Sequence, residues 1–301
     1  MHNIAFAGLG AMGRPMATCL KNAGFNVLGI DAFEQVETTF NDQATSSDAK
    51  HRYLADCNAL FIMVVNAEQV RAVLFGNNAG DGTTSSVVSS LKEGACIVQM
   101  STIAPSDAAG IASEVAAVRP GLHYIDAPVS GGVVGAQAGE LTIMAAGSEE
   151  ALGRCSKAFE VMGKAVFVAG PTAGQGAAMK AVNQLLCGVH IAAAAEALSL
   201  AEKSGIESSV MLSMVQGSAA SSWMLGDRGP RMIAEPGEVT SVVDIFCKDM
   251  GIVCDSAKVA KAFTPLAETA RQMFVASSER GEGKLDDSQV IRTYRLLNGK
   301  G

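Results

Sequence analysis

Short apolar runs alternate with helix-period stretches along the first half of the chain. The runs are NIAFAG (3–8), NVLGI (26–30), ALFIMVV (59–65), CIVQM (96–100), HYIDAPV (123–129), LTIMAAG (141–147) and AVFVAG (165–170). Each is apolar throughout rather than alternating. That pattern belongs to strands covered on both faces, and the helices between them predict a parallel, doubly wound α/β sheet. From GPTAGQGAAMK onward the character changes. Residues 177–206, AAMKAVNQLLCGVHIAAAAEALSLAEKSGI, lack proline, are dense in Ala and Leu, and close on a Gly after a basic residue. They predict one long helix with its stop signal. Only helical patterns broken by Gly and Pro follow. The expected organisation is an α/β domain over residues 1–170 and an all-α domain over 171–301 that begins with the long helix joining the two.

The first run leads directly into GLGAMGRPMATCL, which sets Gly8, Gly10 and Gly13 in G-x-G-x-x-G spacing ahead of a helix from Met12 to Asn22. In this spacing one Gly makes the tight turn, one admits a pyrophosphate close to the backbone, and one packs helix on strand, with the anion at the helix N-terminus. The second strand ends in Asp31, about twenty residues further on, where a carboxylate accepts from a ribose 2′-hydroxyl. A Rossmann-type dinucleotide site is therefore expected, built from Gly8, Leu9, Gly10, Ala11, Met12, Gly13 and Asp31, with Val65 and Asn66 beside it. Ala32 and Phe33 supply no Arg for a 2′-phosphate, so the expected cofactor is NAD rather than NADP. The competing role for Asp31 is a helix N-cap ahead of AFEQ, with Glu34 as its capping-box partner.

Composition narrows the remaining possibilities. The 301 residues are 49% hydrophobic, enough for two ordinary domains. A formal net charge of −7 without any Lys/Arg block argues against a nucleic-acid partner. The N-terminus lacks the basic region of a secretory signal and no uninterrupted apolar run reaches the roughly 18 residues of a membrane helix, so a cytoplasmic protein without a membrane partner is expected. Seven cysteines without a C-x-x-C read as reduced, mostly buried thiols, with neither a zinc site nor a disulfide framework.

Five stretches, GLGAMGRPMA (8–17), STIAP (101–105), DAPVSGG (126–132), GQGAAMKAVNQLL (174–186) and IFCKDMGI (245–252), occur in the order found in the β-hydroxyacid dehydrogenase family, which the chain resembles along nearly its whole length. Within that family VVNAEQV (64–70), NQLLCGVHIAAAAEA (183–197), SSWMLGDRGPRM (221–232) and DDSQVIRTY (286–294) are most similar to a branch acting on four-carbon sugar acids. The resemblance implies an NAD-dependent oxidoreductase with L-threonate as substrate, and a homo-oligomer, dimer or tetramer. It implies that Lys180 is catalytic, that Asn183 binds substrate, that Thr102 and Lys248 contact NAD, and that Ser130, Gly131 and Gly132 hold the substrate carboxylate. Enzymes of 3-hydroxyisobutyrate or tartronate-semialdehyde type share these motifs. A non-enzymatic dinucleotide-binding scaffold would have no need of Lys180, Asn183 or the Gly-rich run.

The residues themselves agree with these roles. Successive N–H groups without side chains make an anion-binding concavity, although a Gly-rich strand terminus has the same composition. Lys180 and Asn183 are three apart on a predicted helix and share a face, with Gly176 one turn earlier leaving room for a ligand. Most helix lysines are solvated, but this one sits in an Ala/Leu/Val/Met stretch, where burial would lower its pKa toward that of a useful base. His190 lies ten residues beyond Lys180 on the same helix, about 15 Å away, and reads as a packed or interface histidine. Trp223 reads equally as core or pocket wall. Asp249 either orients Lys248 or caps its own segment, Asp126 forms a turn, and Asp286 with Asp287 starts a helix.

Overall fold

The computed structural model describes residues 2–76, 86–235, 237 and 239–299. The chain divides into two compact units, Met1–Lys180 and Ala181–Gly301. In the first, the order is β1 (Asn3–Ala7), α1 (Gly13–Asn22), β2 (Asn26–Ile30), α2 (Glu34–Asn41), α3 (Ser47–Asp56), β3 (Ala59–Ile62), α4 (Ala67–Phe75), α5 (Val87–Ser90), β4 (Cys96–Gln99), α6 (Pro105–Val118) and β5 (His123–Asp126). It continues with β6 (Val129–Ser130), α7 (Gly132–Ala138), β7 (Leu141–Ala146), α8 (Glu149–Met162), β8 (Gly163–Gly170) and the start of α9 (Gln175–Lys203).

The sheet runs β2-β1-β3-β4-β5-β7-β6, with β8 paired to β7. Strands β1 to β5 are parallel in register, Phe6 opposite Phe61 and Gln99 opposite Asp126. Ile4, Phe6, Phe61, Val98 and Ile125 face Met16, Leu20 and Phe159 on one side. Ala5, Leu60, Ile62 and Ile97 face Leu74 and Ile111 on the other. Each fully buried large side chain contributes about 1.5–3 kcal/mol, so this two-faced core fixes the strand ends from which the loops depart. Beyond those ends the ladder continues: Gly8 N–H donates to the Ile30 carbonyl (2.8 Å), Met63 N–H to Ala7 (2.8 Å), Met100 N–H to Ile62 (2.8 Å) and Ala127 N–H to Gln99 (2.7 Å). The loops after β1, β3, β4 and β5 therefore leave from one edge. The chain reverses its order between β2-β1 and β1-β3, the switch point where open α/β sheets bind ligands.

Two expectations fail at the other edge. The sheet is mixed, because β5 and β6 both pair antiparallel with β7. The link between β6 and β7 is residues 131–140, shorter than the dozen or more that a parallel crossover needs. Strand β8 is not covered on both faces: Phe167 is 55% and Val168 64% exposed. Among the described residues its strand partner is β7 alone, and its apolar run is that of an exposed edge.

Among its described residues the second unit is helical, with an isolated bridge between Val242 and Asp286. After α9 come α10 (Ser208–Gln216), α11 (Trp223–Ile233), α12 (Val243–Ala260), α13 (Pro265–Ser277), a π turn at Ser278–Glu282, a 3₁₀ turn at Asp287–Val290 and α14 (Ile291–Leu297). Ile191, Leu198, Met250 and Tyr294 line its core, with Phe246 stacked on Phe274 at 5.1 Å. By length and composition α9 could cross a membrane, but half of its most apolar window is buried within the protein. That is the pattern of a core helix. It starts two residues before the predicted start and ends three residues before the predicted end.

Candidate active site

The three motif glycines are not equivalent. Gly8 has φ +91°, and a Cβ there would strike the Met63 carbonyl; one at Gly13 would strike the carbonyl oxygen of Gly8. The first closes the turn and the second lets α1 pack on β1. Around Gly10 no heavy atom lies within 4 Å of a Cβ position. The N-terminus of α1 has no side-chain cap and no acid in its first turn, so its dipole is not offset from within the helix itself. Asp31 closes the loop from the far side: its Oδ2 accepts the Leu9 N–H at 2.7 Å and its Oδ1 the Phe33 N–H at 3.0 Å. Helix α2 starts at Glu34 with Phe33 at the N-cap position, so the capping box does not form. Sequence reasoning missed Glu37, a buried acid that accepts the Asp31 N–H at 3.2 Å and pairs with Lys50 at 2.5 Å.

The next two loops are tied together. Val64 N–H donates to the hydroxyl of Ser101 (2.9 Å), whose carbonyl accepts from the Gln99 amide (2.9 Å). Val65 N–H donates to Gln69 Oε1 at 2.8 Å, and Asn66 caps α4 by accepting from Gln69 N–H at 2.9 Å. Ser101 is fully buried and braces the segment that carries Thr102. The signal for it was its place beside Thr102 in STIAP.

The DAPVSGG run contains two demanding backbone positions, Gly131 at φ +132° and Gly132 at φ +62°. Side chains are disfavoured at both on conformational grounds. A Cβ on Gly131 would press on Leu141 at 3.1 Å, whereas one on Gly132 would meet nothing within 4 Å. Ser130 lies opposite Thr142 in the β6–β7 pair.

Asp126 is not a turn residue. It is fully buried at the end of β5, and its Oδ2 accepts the N–H groups of Gly174 (2.9 Å) and Ala177 (2.8 Å), capping α9 across 48 and 51 residues of sequence. Gly176 also differs from expectation. A Cβ there would strike the Asp126 carbonyl and lie 2.6 Å from that of Met144, so this glycine lets the helix start seat on the sheet rather than leaving room for a ligand. One turn on, Lys180 is 6% exposed, which removes the solvated-lysine alternative.

In the second unit Asn183 is half-buried on α9. Lys248 pairs with Asp249 at 2.7 Å, and the other oxygen of Asp249 accepts from the Gln184 amide at 2.6 Å. Asp249 therefore orients Lys248 and links α12 to α9 instead of capping. Gly188 allows that approach, since a Cβ would strike the Met250 sulfur. Trp223 is 63% exposed, not core, and opens α11 behind the Ser222 cap. His190 is half-buried. Asp286 caps the 3₁₀ turn as expected for a helix start, but buried Asp287 instead forms a two-pronged pair with Arg228 at 2.9 and 2.8 Å.

Residues 3–170 match the family model described as the NAD binding domain of 6-phosphogluconate dehydrogenase. Residues 174–294 match the one described as NAD-binding of NADP-dependent 3-hydroxyisobutyrate dehydrogenase. The chain is 40% identical to L-threonate dehydrogenase of Escherichia coli O6:H1 over 294 residues, covering 97% of this chain and 94% of the relative. It is 33% identical to 2-hydroxy-3-oxopropionate reductase of Escherichia coli K12, with 98% and 97% covered. A crystal structure of 3-hydroxyisobutyrate dehydrogenase from Salmonella typhimurium superposes with a TM-score of 0.86 at 38% identity, covering 97% and 99% of the two chains.

Proposed function

Given that the chain belongs to the β-hydroxyacid dehydrogenase family and is an NAD-dependent hydroxyacid dehydrogenase, we propose that it oxidises L-threonate at C2 to 2-dehydro-L-erythronate. The substrate assignment is supported by the 40% identity to an L-threonate dehydrogenase over nearly the full chain. The observation that carries the chemistry is Lys180, a buried amine in the first turns of an apolar helix.

In this reading the open side of Gly10, the uncapped start of α1 and the Asp31 carboxylate fit a dinucleotide: space, free backbone N–H groups and a ribose acceptor. Leu9, Ala11 and Met12 belong to the same loop, and the further NAD contacts of this reading are Val65, Asn66, Thr102 and Lys248, the last a cation oriented by Asp249. Bound NAD supplies the hydride acceptor. Ser130 and the N–H groups of Gly131 and Gly132 hold the substrate carboxylate, and Asn183 orients the substrate. Lys180 Nζ takes the C2 hydroxyl proton as the C–O bond becomes a carbonyl; protonated, it returns that proton in the reverse reaction. Selectivity for NAD comes from Asp31, whose charge repels a 2′-phosphate. The same reading makes the protein a cytoplasmic homo-oligomer, and its net charge of −7 disfavours nucleic acid.

The test is NADH formation across a panel of sugar acids and short hydroxy acids. L-threonate should give the highest kcat/KM. A preference for 3-hydroxyisobutyrate, or for reduction of 2-hydroxy-3-oxopropionate, would transfer the assignment to those reactions.

A further inference from the structure

We propose that Asp126 is a positioning residue for Lys180. Its carboxylate is fully buried, and one oxygen is shared between the N–H groups of Gly174 and Ala177, at the first turn of α9. Lys180 follows Ala177 by three residues, so the anchored turn is the one immediately before the lysine. The seating is tight. Beneath the same turn the carbonyls of Asp126 and Met144 leave no space for a Cβ on Gly176, and a Cβ on Gly174 would lie 2.8 Å from the Pro105 carbonyl. The helix start is thus fixed by two backbone close approaches and a carboxylate clamp. A shift of about 1 Å in a reacting group can cost 10²-fold, so a clamp of this kind bears on rate as well as on folding.

The second carboxylate oxygen points the same way. Oδ1 of Asp126 is buried and finds no hydrogen-bond partner among the described residues, and the same is true of the Tyr124 phenol two positions earlier in β5. A helix could be capped at less cost by Ser, Thr or Asn, which bring no buried charge. What fixes the turn is one acceptor oxygen holding two N–H groups at once, a geometry that an Asn side-chain oxygen can also supply. Burial disfavours the charged carboxylate and pushes the group up to about 6, while the backbone N–H groups of Ala177, Gly174 and Gly176 favour the charged form and draw it back down.

The inference rests on Lys180 being the proton-transfer group, and a double-mutant cycle separates the two claims. Asp126→Ala should lower kcat by roughly 10- to 100-fold while KM for NAD stays within about twofold. Asp126→Asn retains an acceptor oxygen for both N–H groups and should keep kcat within about threefold of wild type. In a Lys180→Ala background, Asp126→Ala should change the residual kcat by less than about twofold. An equal loss in both backgrounds, a wild-type kcat for a folded Asp126→Ala protein, or an Asn variant as impaired as the Ala variant would each overturn the proposal. If Lys180→Ala by itself kept full activity, the proton-transfer assignment would fall and this proposal with it. Should Asp126→Ala not fold, Asp126→Ser, whose shorter side chain cannot hold both N–H groups, should lower kcat at least about fivefold with KM for NAD unchanged, and a folded Ser variant with wild-type kcat would overturn the proposal.

Discussion

Asp31 and Leu9 are joined by a 2.7 Å hydrogen bond from the Leu9 backbone N–H to Asp31 Oδ2. The acid that ends β2 is therefore part of the wall of the glycine loop, held there further by the Phe33 N–H on its other oxygen.

A 2′-phosphate would meet this fixed carboxylate with buried Glu37 behind it, although Lys50 offsets the second charge. The expected outcome is a kcat/KM for NAD at least about tenfold above that for NADP, because a lost ribose hydrogen bond and charge repulsion together exceed about 1.4 kcal/mol. Replacing Asp31 by Asn and Ala32 by Arg should move the preference toward NADP. Equal kcat/KM values for the two cofactors in the wild type would contradict this role of Asp31.

At Gly132 the absence of neighbours around a Cβ means that a new side chain projects into open space. Its φ of +62° adds strain of roughly 1–2 kcal/mol for a non-glycine residue. Gly132→Val should therefore fold with reduced stability, raise KM for the acid at least about tenfold, as loss of one or more hydrogen bonds to a charged group would, and leave KM for NAD nearly unchanged. Normal values of both constants in the folded variant would return Ser130, Gly131 and Gly132 to the role of strand-end punctuation.

Asp126 makes a prediction about stability against pH. Its folded value of about 6 lies above the ordinary 3.8, burial being the main cause, with the Tyr124 phenol as its titratable neighbour in β5. The folded state thus holds this proton more tightly than the unfolded chain. Its contribution is fully present below about pH 4 and is lost as pH rises through about 6, a difference on the order of 3 kcal/mol. Asp126→Asn, which carries no charge, should raise Tm relative to wild type at pH 7.5 by several degrees more than at pH 4. A Tm difference that is constant with pH, or larger in acid, would show that the carboxylate is not buried in its charged form.

Local chemistry was legible in the sequence where it is encoded over short spans. The spacing of Gly8, Gly10 and Gly13 carries turn, opening and packing within one loop, and the Ala/Leu-rich stretch around Lys180 announced a buried helix. Contacts between distant segments were not legible. Asp126 reads as a turn residue until Gly174 and Ala177 are folded onto it, and Asp287 reads as a helix start until Arg228 arrives from 59 residues away. Gly176 shows the ambiguity most plainly, since a missing side chain looks the same in sequence whether the space goes to a ligand or to a neighbouring carbonyl. The apolar run of β8 is likewise identical to that of a buried strand, because hydrophobicity alone does not report which edge remains uncovered.

The most direct test of the mechanism is kcat against pH for wild type and Lys180 variants with L-threonate and NAD. Lys180→Ala should fold and bind NAD almost normally while kcat falls by roughly 10²–10⁴-fold, the range for a positioned acid–base group. Lys180→Arg should not restore activity, since a guanidinium keeps its proton at any working pH. A Lys180→Ala enzyme that kept more than about a tenth of the wild-type kcat, outside that range, would contradict the assignment and require another base.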